Sequence, residues 1–184
     1  MLGLFLTHDQ HTRVWERTAS GMELGTIGCF LVLEEKQHAL KRGAKPFARL
    51  TDIRSDHVKR NPGAITAALE RMWSGVASRV KPESAAVISG ATGVEPGTSE
   101  ERAFLSNHPD LAVRATGTHL GHALEPQFPA NIALAAMALQ HGQLFPPCDA
   151  SGVERPMQAP LRQVVVTGVG HWRGEGLALV EAIE

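Results

Sequence analysis

The chain is 184 residues long, which at about 150 residues per domain allows one hydrophobic core and excludes a multi-domain machine. Its 18 lysines and arginines against 19 aspartates and glutamates leave a net charge of −1, so there is no basic field of the kind that nucleic acid demands. Hydrophobic residues make up 43% and charged residues 20%, the balance of a globular domain in water, and no apolar run approaches the roughly 18 residues of a membrane span. Gly3-Leu4-Phe5-Leu6 is apolar but has no basic region before it, so it does not read as a secretory leader. Two cysteines, Cys29 and Cys148, are too few for a disulfide scaffold, and a cytoplasmic protein with free thiols is expected.

The first strong signal is Cys29-Phe30-Leu31-Val32-Leu33, a continuous apolar run of strand length that reads as a strand buried on both faces. Glu34 to Arg42 is helical in composition, Gly43 fits a helix C-cap, and the alternating stretch Pro46 to Ile53 reads as a second strand. Asn61-Pro62-Gly63 opens a segment in which Ile65, Leu69, Met72, Trp73 and Val76 share one helical face. Ala85 to Ser89 reads as a short buried strand, Gly90 to Gly97 as a loop, and Ser99 with Arg102, Ala103 and Leu105 as a helix. Leu111 to Ala115 is a further strand candidate, and Pro129 through Leu139 is an apolar helix with proline in its first turn, ended at His141-Gly142. Gln163 to Val169 is β-branched, Gly170 to Gly176 is a Gly-rich turn, and Leu177 to Ile183 resumes the apolar pattern, so two strands flank that turn.

Strands alternating with helices predict an α/β fold: a mixed, mostly parallel five-stranded sheet with flanking helices and an antiparallel hairpin at its end. Leu31, Val32, Val87, Ile88, Val113, Val164, Val165 and Leu179 are the expected buried strand positions, with the 129–141 helix deep in the core. Residues 1–20 lack a clear period and read as an irregular segment preceding a domain over 21–184.

Nine histidines invite a metal hypothesis, but at His119-Leu120-Gly121-His122 no carboxylate or cysteine follows at zinc-ligand spacing, and Gly121 argues against a helix there. No metal and no cofactor is expected. Cys29 lies in an apolar pattern, where a buried thiol is inert, and Cys148 sits in a proline-flanked loop with no base in sequence reach. Gly90-Ala91-Thr92-Gly93 and Gly174-Glu175-Gly176 supply neither a Walker lysine nor a dinucleotide-binding glycine spacing, and read as turns.

Taken together, these segments resemble the second half of a β-ketoacyl-acyl-carrier-protein synthase of the thiolase superfamily. Gly25 to Glu34 with His38-Ala39 and Arg42-Gly43-Ala44 follows the family's Gly-Glu-Gly-Ala-Gly, apolar strand, Glu, His-Ala and Arg-Gly-Ala, with Thr26 and Ile27 in place of its Glu and Gly. Gly121-His122 is followed by a helix, Ala138-Leu139, Gly142 and Pro146-Pro147, in the family's order. Val169-Gly170-His171-Trp172-Arg173-Gly174-Glu175-Gly176 falls where the family has Phe-Gly-Phe-Gly-Gly-Thr-Asn-Gly and a closing strand.

The resemblance implies a thiolase-like half, acyl and malonyl thioesters on an acyl carrier protein, decarboxylative condensation in fatty-acid elongation, and a homo- or hetero-oligomer with a synthase chain. It also exposes departures. The family's nucleophilic cysteine belongs to the half not matched here; Ala91 stands where its first histidine belongs and Gly117 where its lysine belongs. His122 matches the second histidine and His171 the gating aromatic, which makes these two the candidate catalytic positions. Arg173, Trp172, Phe128 and Thr118 are the implied substrate-binding positions, with Arg173 able to donate to an anionic or carbonyl group and Trp172 and Phe128 narrowing an acyl channel. A lost donor of this kind costs about 10²–10³ in rate. Three readings stand: a domain or partner subunit of a synthase that is not catalytic alone, an altered acyl chemistry through His122, His171 and Arg173, and a stand-alone module that binds acyl or CoA thioesters.

Overall fold

Val87 and Ile88, with Val164, Val165 and Val166 beside them, are too apolar to leave either face of a strand in water, and they form the centre of the sheet. In the computed structural model, which describes residues 5, 6, 11–157 and 159–183, β1 (Ala48–Asp56), β2 (Ala85–Ser89), β3 (Ala112–Ala115), β4 (Gln163–Val169) and β5 (Glu175–Ala182) form one sheet in the order β1-β5-β4-β2-β3. β2 pairs parallel with β3 and β4, while β5 pairs antiparallel with β4 and β1. The sheet is therefore mixed, and its parallel part carries the carboxyl ends of β2, β3 and β4 to the same edge.

Helices cover both faces. On one side α2 (Ala64–Ser74) and α3 (Gly97–Ser106) bury Ile65, Leu69, Met72, Phe104 and Leu105 against Val87, Val113, Val165 and Leu179. The face read from Ile65, Leu69, Met72 and Val76 is the one that packs, with Trp73 partly buried at its margin against Phe104 and His108. α2 begins at Gly63 in the left-handed region, φ +76°, and has no side-chain cap of its own. Glu100 of α3 supplies one, accepting from the backbone N–H groups of Gly63 at 3.0 Å, Ile65 at 2.8 Å and Thr66 at 3.0 Å. Glu100→Ala is expected to cost about 1–2 kcal/mol, the upper range for a lost N-cap, as read by thermal unfolding; an unchanged melting temperature would show that water replaces the carboxylate.

On the other side α5 (Gln127–His141) lays Ile132, Ala135 and Leu139 on Ala86, Ile88, Val164 and Val180. It ends where Gly142, at φ +67°, turns its N–H back to the carbonyls of Ala138 and Leu139. Shorter helices, α1 (Lys36–Lys41) and α4 (Gly117–Leu120), complete the set named here. Val14 and Trp15, on a 3₁₀ turn of the N-terminal segment, are buried in the same core as α2 and α3.

Two sequence expectations fail for local physical reasons. The run Cys29 to Leu33 is not a buried strand: it lies in extended coil with Phe30 98% and Val32 84% exposed, and Leu31 is not in the core. An apolar run becomes a strand only where a neighbour pairs its backbone groups, and the position beside β5 is taken by β1. Gly121 does not prevent a helix before it. α4 forms over four residues and Gly121, at φ +65° and ψ −164°, ends it.

Candidate functional site

The carboxyl ends of β2 and β4 lie side by side, and ligand-binding groups in open α/β sheets gather at such ends. The loop after β2 and the turn between β4 and β5 meet there, with the loop after α4 against that turn. His122 and His171 are brought together, ring centroids 5.0 Å apart and planes at 87°.

His122 is fixed by its backbone rather than by a helix. Its N–H donates to Glu23 O at 2.8 Å and its carbonyl accepts from Gly25 N–H at 3.0 Å, so the segment 23–25 forms a wall of the site. A Cβ at Gly121 would sit 2.7 Å from Gly25 N, and the backbone there is one that side chains rarely adopt. Gly121→Ala is therefore expected to destabilise the fold by about 1–3 kcal/mol, measured by urea unfolding. A change under about 0.5 kcal/mol would mean that the 23–25 wall gives way freely. Behind His122, a polar network fastens the start of α5 to β2: Gln127 donates to Thr116 Oγ1 at 2.9 Å, Thr116 to Asn131 Oδ1 at 2.7 Å, and Asn131 to Ser89 O at 3.3 Å. Gln127 Oε1 accepts from Ala123 N–H at 3.1 Å, which ties the loop directly after His122 to α5.

Burial, and then the adjacent His171, push the His122 imidazole down to about 4, Glu125 opposing. Burial, followed by the Arg60 guanidinium, lowers His171 as well. Both rings are thus neutral at pH 7, each with one N–H to give and one nitrogen to accept, and neither is a fixed cation.

Arg60 was not legible as a site residue. It precedes Asn61-Pro62-Gly63 and reaches across to Glu175 Oε1 and to the carbonyl of Gly170, both by short hydrogen bonds, while Glu175 also accepts from Val58 N–H at 3.3 Å. The Gly170 N–H donates to Gly174 O at 2.8 Å and closes the turn. An ion pair between the segment before α2 and the start of β5, with the bond from Arg60 to the Gly170 carbonyl, thus braces the glycine-rich turn that carries His171. Glu101 was missed too, although its spacing from Thr98, Phe104 and Leu105 puts it on the sheet-facing side of α3, where a carboxyl calls for an explanation.

Of the other expected positions, Phe128 lies with its ring over β4 and β5 so closely that a Cβ at Gly168 would stand 2.8 Å from Cδ2. Trp172 and Arg173 stand exposed at the tip of the turn, Trp172 at 72%. Thr118 accepts from the Val14 N–H at 3.1 Å and anchors the N-terminal turn. Ala91 is buried, and a Cβ on Gly117 would lie 2.7 Å from Ala91 O, so the backbone closes the place that the resemblance assigns to a lysine.

No protein-family model matches the chain. It is 27% identical to the oxytetracycline polyketide putative beta-ketoacyl synthase 1 of Streptomyces rimosus over 73% of this chain and 34% of that protein. Among solved structures, all of it superposes on the ishigamide ketosynthase/chain length factor with a TM-score of 0.80 at 19% identity. It likewise superposes on a type II PKS acyl-carrier protein in complex with its ketosynthase bound to the hexaketide, with a TM-score of 0.78 at 16% identity. The chain has the thiolase-like ketosynthase fold. It spans 49% and 51% of those two solved chains and about a third of the curated relative. The expected class of fold is therefore found, and the family that the sequence resembles is the one these comparisons return.

Proposed function

We propose that this chain is a scaffold module of a ketosynthase assembly, with a second ketosynthase chain as partner, and that it does not condense thioesters by itself. The observation that carries the reading is an open apolar groove of about 1370 Å³ between the coil 30–33, Phe47, the β1/β5 edge and α5 at Ile132 and the exposed Met137. Phe30, Val32, Leu33, Leu40, Phe47 and Met137 are exposed around it, and a contiguous apolar patch of this kind marks an interaction site. A chain matching half of a ketosynthase needs the other half of that fold against such a surface, and a synthase chain supplies it.

The chemistry agrees. Cys29 and Cys148 are half-buried and neither lines the cleft at the ends of β2 and β4, Ala91 offers no imidazole there, and the space at Gly117 is closed. What remains is a pair of neutral imidazoles, each able to donate an N–H to an acyl carbonyl. The relatives with a named product are polyketide synthases, so condensation of carrier-protein thioesters in polyketide assembly is the class of reaction served, in place of fatty-acid elongation. Residues 21–184 form the ketosynthase-like domain of this reading, preceded by the segment 1–20.

The basic rim of the groove, Lys36, Lys45 and Arg162, supports the second reading, a module that holds a CoA thioester with its phosphates on that rim. The test is a condensation assay with acyl- and malonyl-carrier protein. The purified chain is expected to give no product above background, and co-expression with a full-length ketosynthase is expected to give a stable complex whose product profile or yield changes. Condensation by the chain alone, abolished in Cys29→Ala or Cys148→Ala, would overturn the proposal; a monomer that binds acyl-CoA in the groove and ignores the synthase would establish the second reading.

A further inference from the structure

Glu101 is fully buried in α3, and its two carboxyl oxygens are treated unequally. Oε1 accepts from Ser89 Oγ at 2.8 Å and from Thr167 Oγ1 by a shorter bond, at the ends of β2 and β4. Oε2 is sealed from solvent and has no partner among the described residues. A buried carboxyl oxygen without a donor is costly as part of a carboxylate and harmless as an O–H that has somewhere to point.

It has somewhere to point. Glu101 lines a cleft of about 20 Å³ that His171 also lines, and His171 Nε2 is likewise enclosed and has no partner among the described residues. That volume holds one water, and a buried water needs polar partners on more than one side. Arg60 also lines the cleft, with its charge matched by Glu175 and two further N–H groups on the Val58 and Gly170 carbonyls.

We propose that Glu101 is a neutral carboxylic acid that donates its O–H to one resident water, and that this water donates to Nε2 of His171, fixing the ring as the Nδ1–H tautomer. The link is a path for a proton. When the His171 ring takes a proton at Nε2, the water releases that proton and receives the one leaving Glu101, which leaves a carboxylate at Glu101 and an imidazolium at His171 with the net charge unchanged. Glu101 is then a positioning residue, holding His171 and storing the proton behind it. Burial raises the Glu101 carboxyl above the usual carboxylate range, against the hydrogen bonds from Thr167, Ser89 and the Gly90 backbone. The charged and titratable groups around the link are Arg60, Glu95, Glu175, His171 and His122; Arg60 and Glu175 offset one another, Glu95 lines the cleft on the loop after β2, and the histidines are both held down.

The test uses the full chain, with Glu101→Gln and Glu101→Leu. Infrared spectroscopy of the wild type at pH 7 is expected to show a protonated-carboxyl stretch that is lost in Glu101→Gln. Nitrogen-15 spectra are expected to show His171 as the Nδ1–H tautomer in the wild type and in Glu101→Gln, whose amide N–H still donates to the water, but a tautomer mixture in Glu101→Leu. The sign of the pH effect follows from the same state. A carboxyl raised in the fold stabilises below its unfolded value and loses that contribution as pH rises, so Glu101→Gln gains on the wild type as pH rises above the ordinary carboxylate range. Absence of the acid stretch, an Nε2–H His171 in the wild type, or a Glu101→Gln variant that loses stability relative to the wild type as pH rises would each overturn the proposal.

Discussion

Arg60→Met is expected to lower the unfolding free energy by about 3–5 kcal/mol, the loss that follows when one member of a buried ion pair is removed. The Glu175 side chain has no exposure and the Arg60 side chain little, so water cannot take over the lost bonds. Glu175 begins β5 opposite Asp56 and Val169, which places the damage at the strand junction as well as in the turn. The Gly170 carbonyl loses its guanidinium donor in the same substitution, so the His171 turn should loosen before the rest of the molecule. Urea unfolding reads the first effect and amide hydrogen exchange at residues 170–174 the second. A loss under about 1 kcal/mol with unchanged protection in the turn would show that the pair is not structural.

Acidification gives the second large effect, and its sign is fixed by the two histidines. His122 is held at about 4 in the fold against 6.5 when free, so the unfolded chain takes up a proton that the native chain refuses between those values. Stability owed to this ring is complete above pH 6.5 and is lost as pH falls towards 4, about 3 kcal/mol for a gap of that size. His171, also lowered, acts in the same direction. Glu101, raised, acts in the opposite direction and works against the histidines in the wild-type curve. The measurement is therefore the difference between wild type and His122→Asn: the variant gains on the wild type by about 3 kcal/mol between pH 7 and pH 4. A difference independent of pH would mean that His122 titrates as an exposed imidazole does.

The sequence made the framework legible because burial on both faces leaves a strong mark: Val87-Ile88 and Val164-Val165-Val166 cannot be anything but inner strands, and Ile65, Leu69 and Val76 repeat at helical spacing. The pairing of His122 with His171 was reachable from the resemblance together with the rule that loops at strand ends converge. Phe30 to Leu33 misled because hydrophobicity records that a segment prefers to be covered, not which strand covers it. Arg60, Glu175 and Glu101 were out of reach for a related reason. Arg60 pairs with Glu175 across 115 residues and Glu101 bonds Thr167 across 66, and a single sequence carries no signal of such pairings.

The central claim is that the groove beside the coil 30–33 is a docking face for a ketosynthase chain and that the fold is incomplete without an occupant. Sedimentation velocity of the purified chain, with and without a full-length ketosynthase and alongside the double variant Phe30→Ser, Val32→Thr, tests it most directly. Both side chains are almost wholly exposed, so the variant should unfold at the wild-type temperature. The expected result is a wild-type chain that self-associates alone and shifts into a defined complex with the synthase, while the variant sediments as a monomer and forms no complex. A wild-type monomer at all concentrations, indifferent to the synthase and identical to the variant, would contradict the claim.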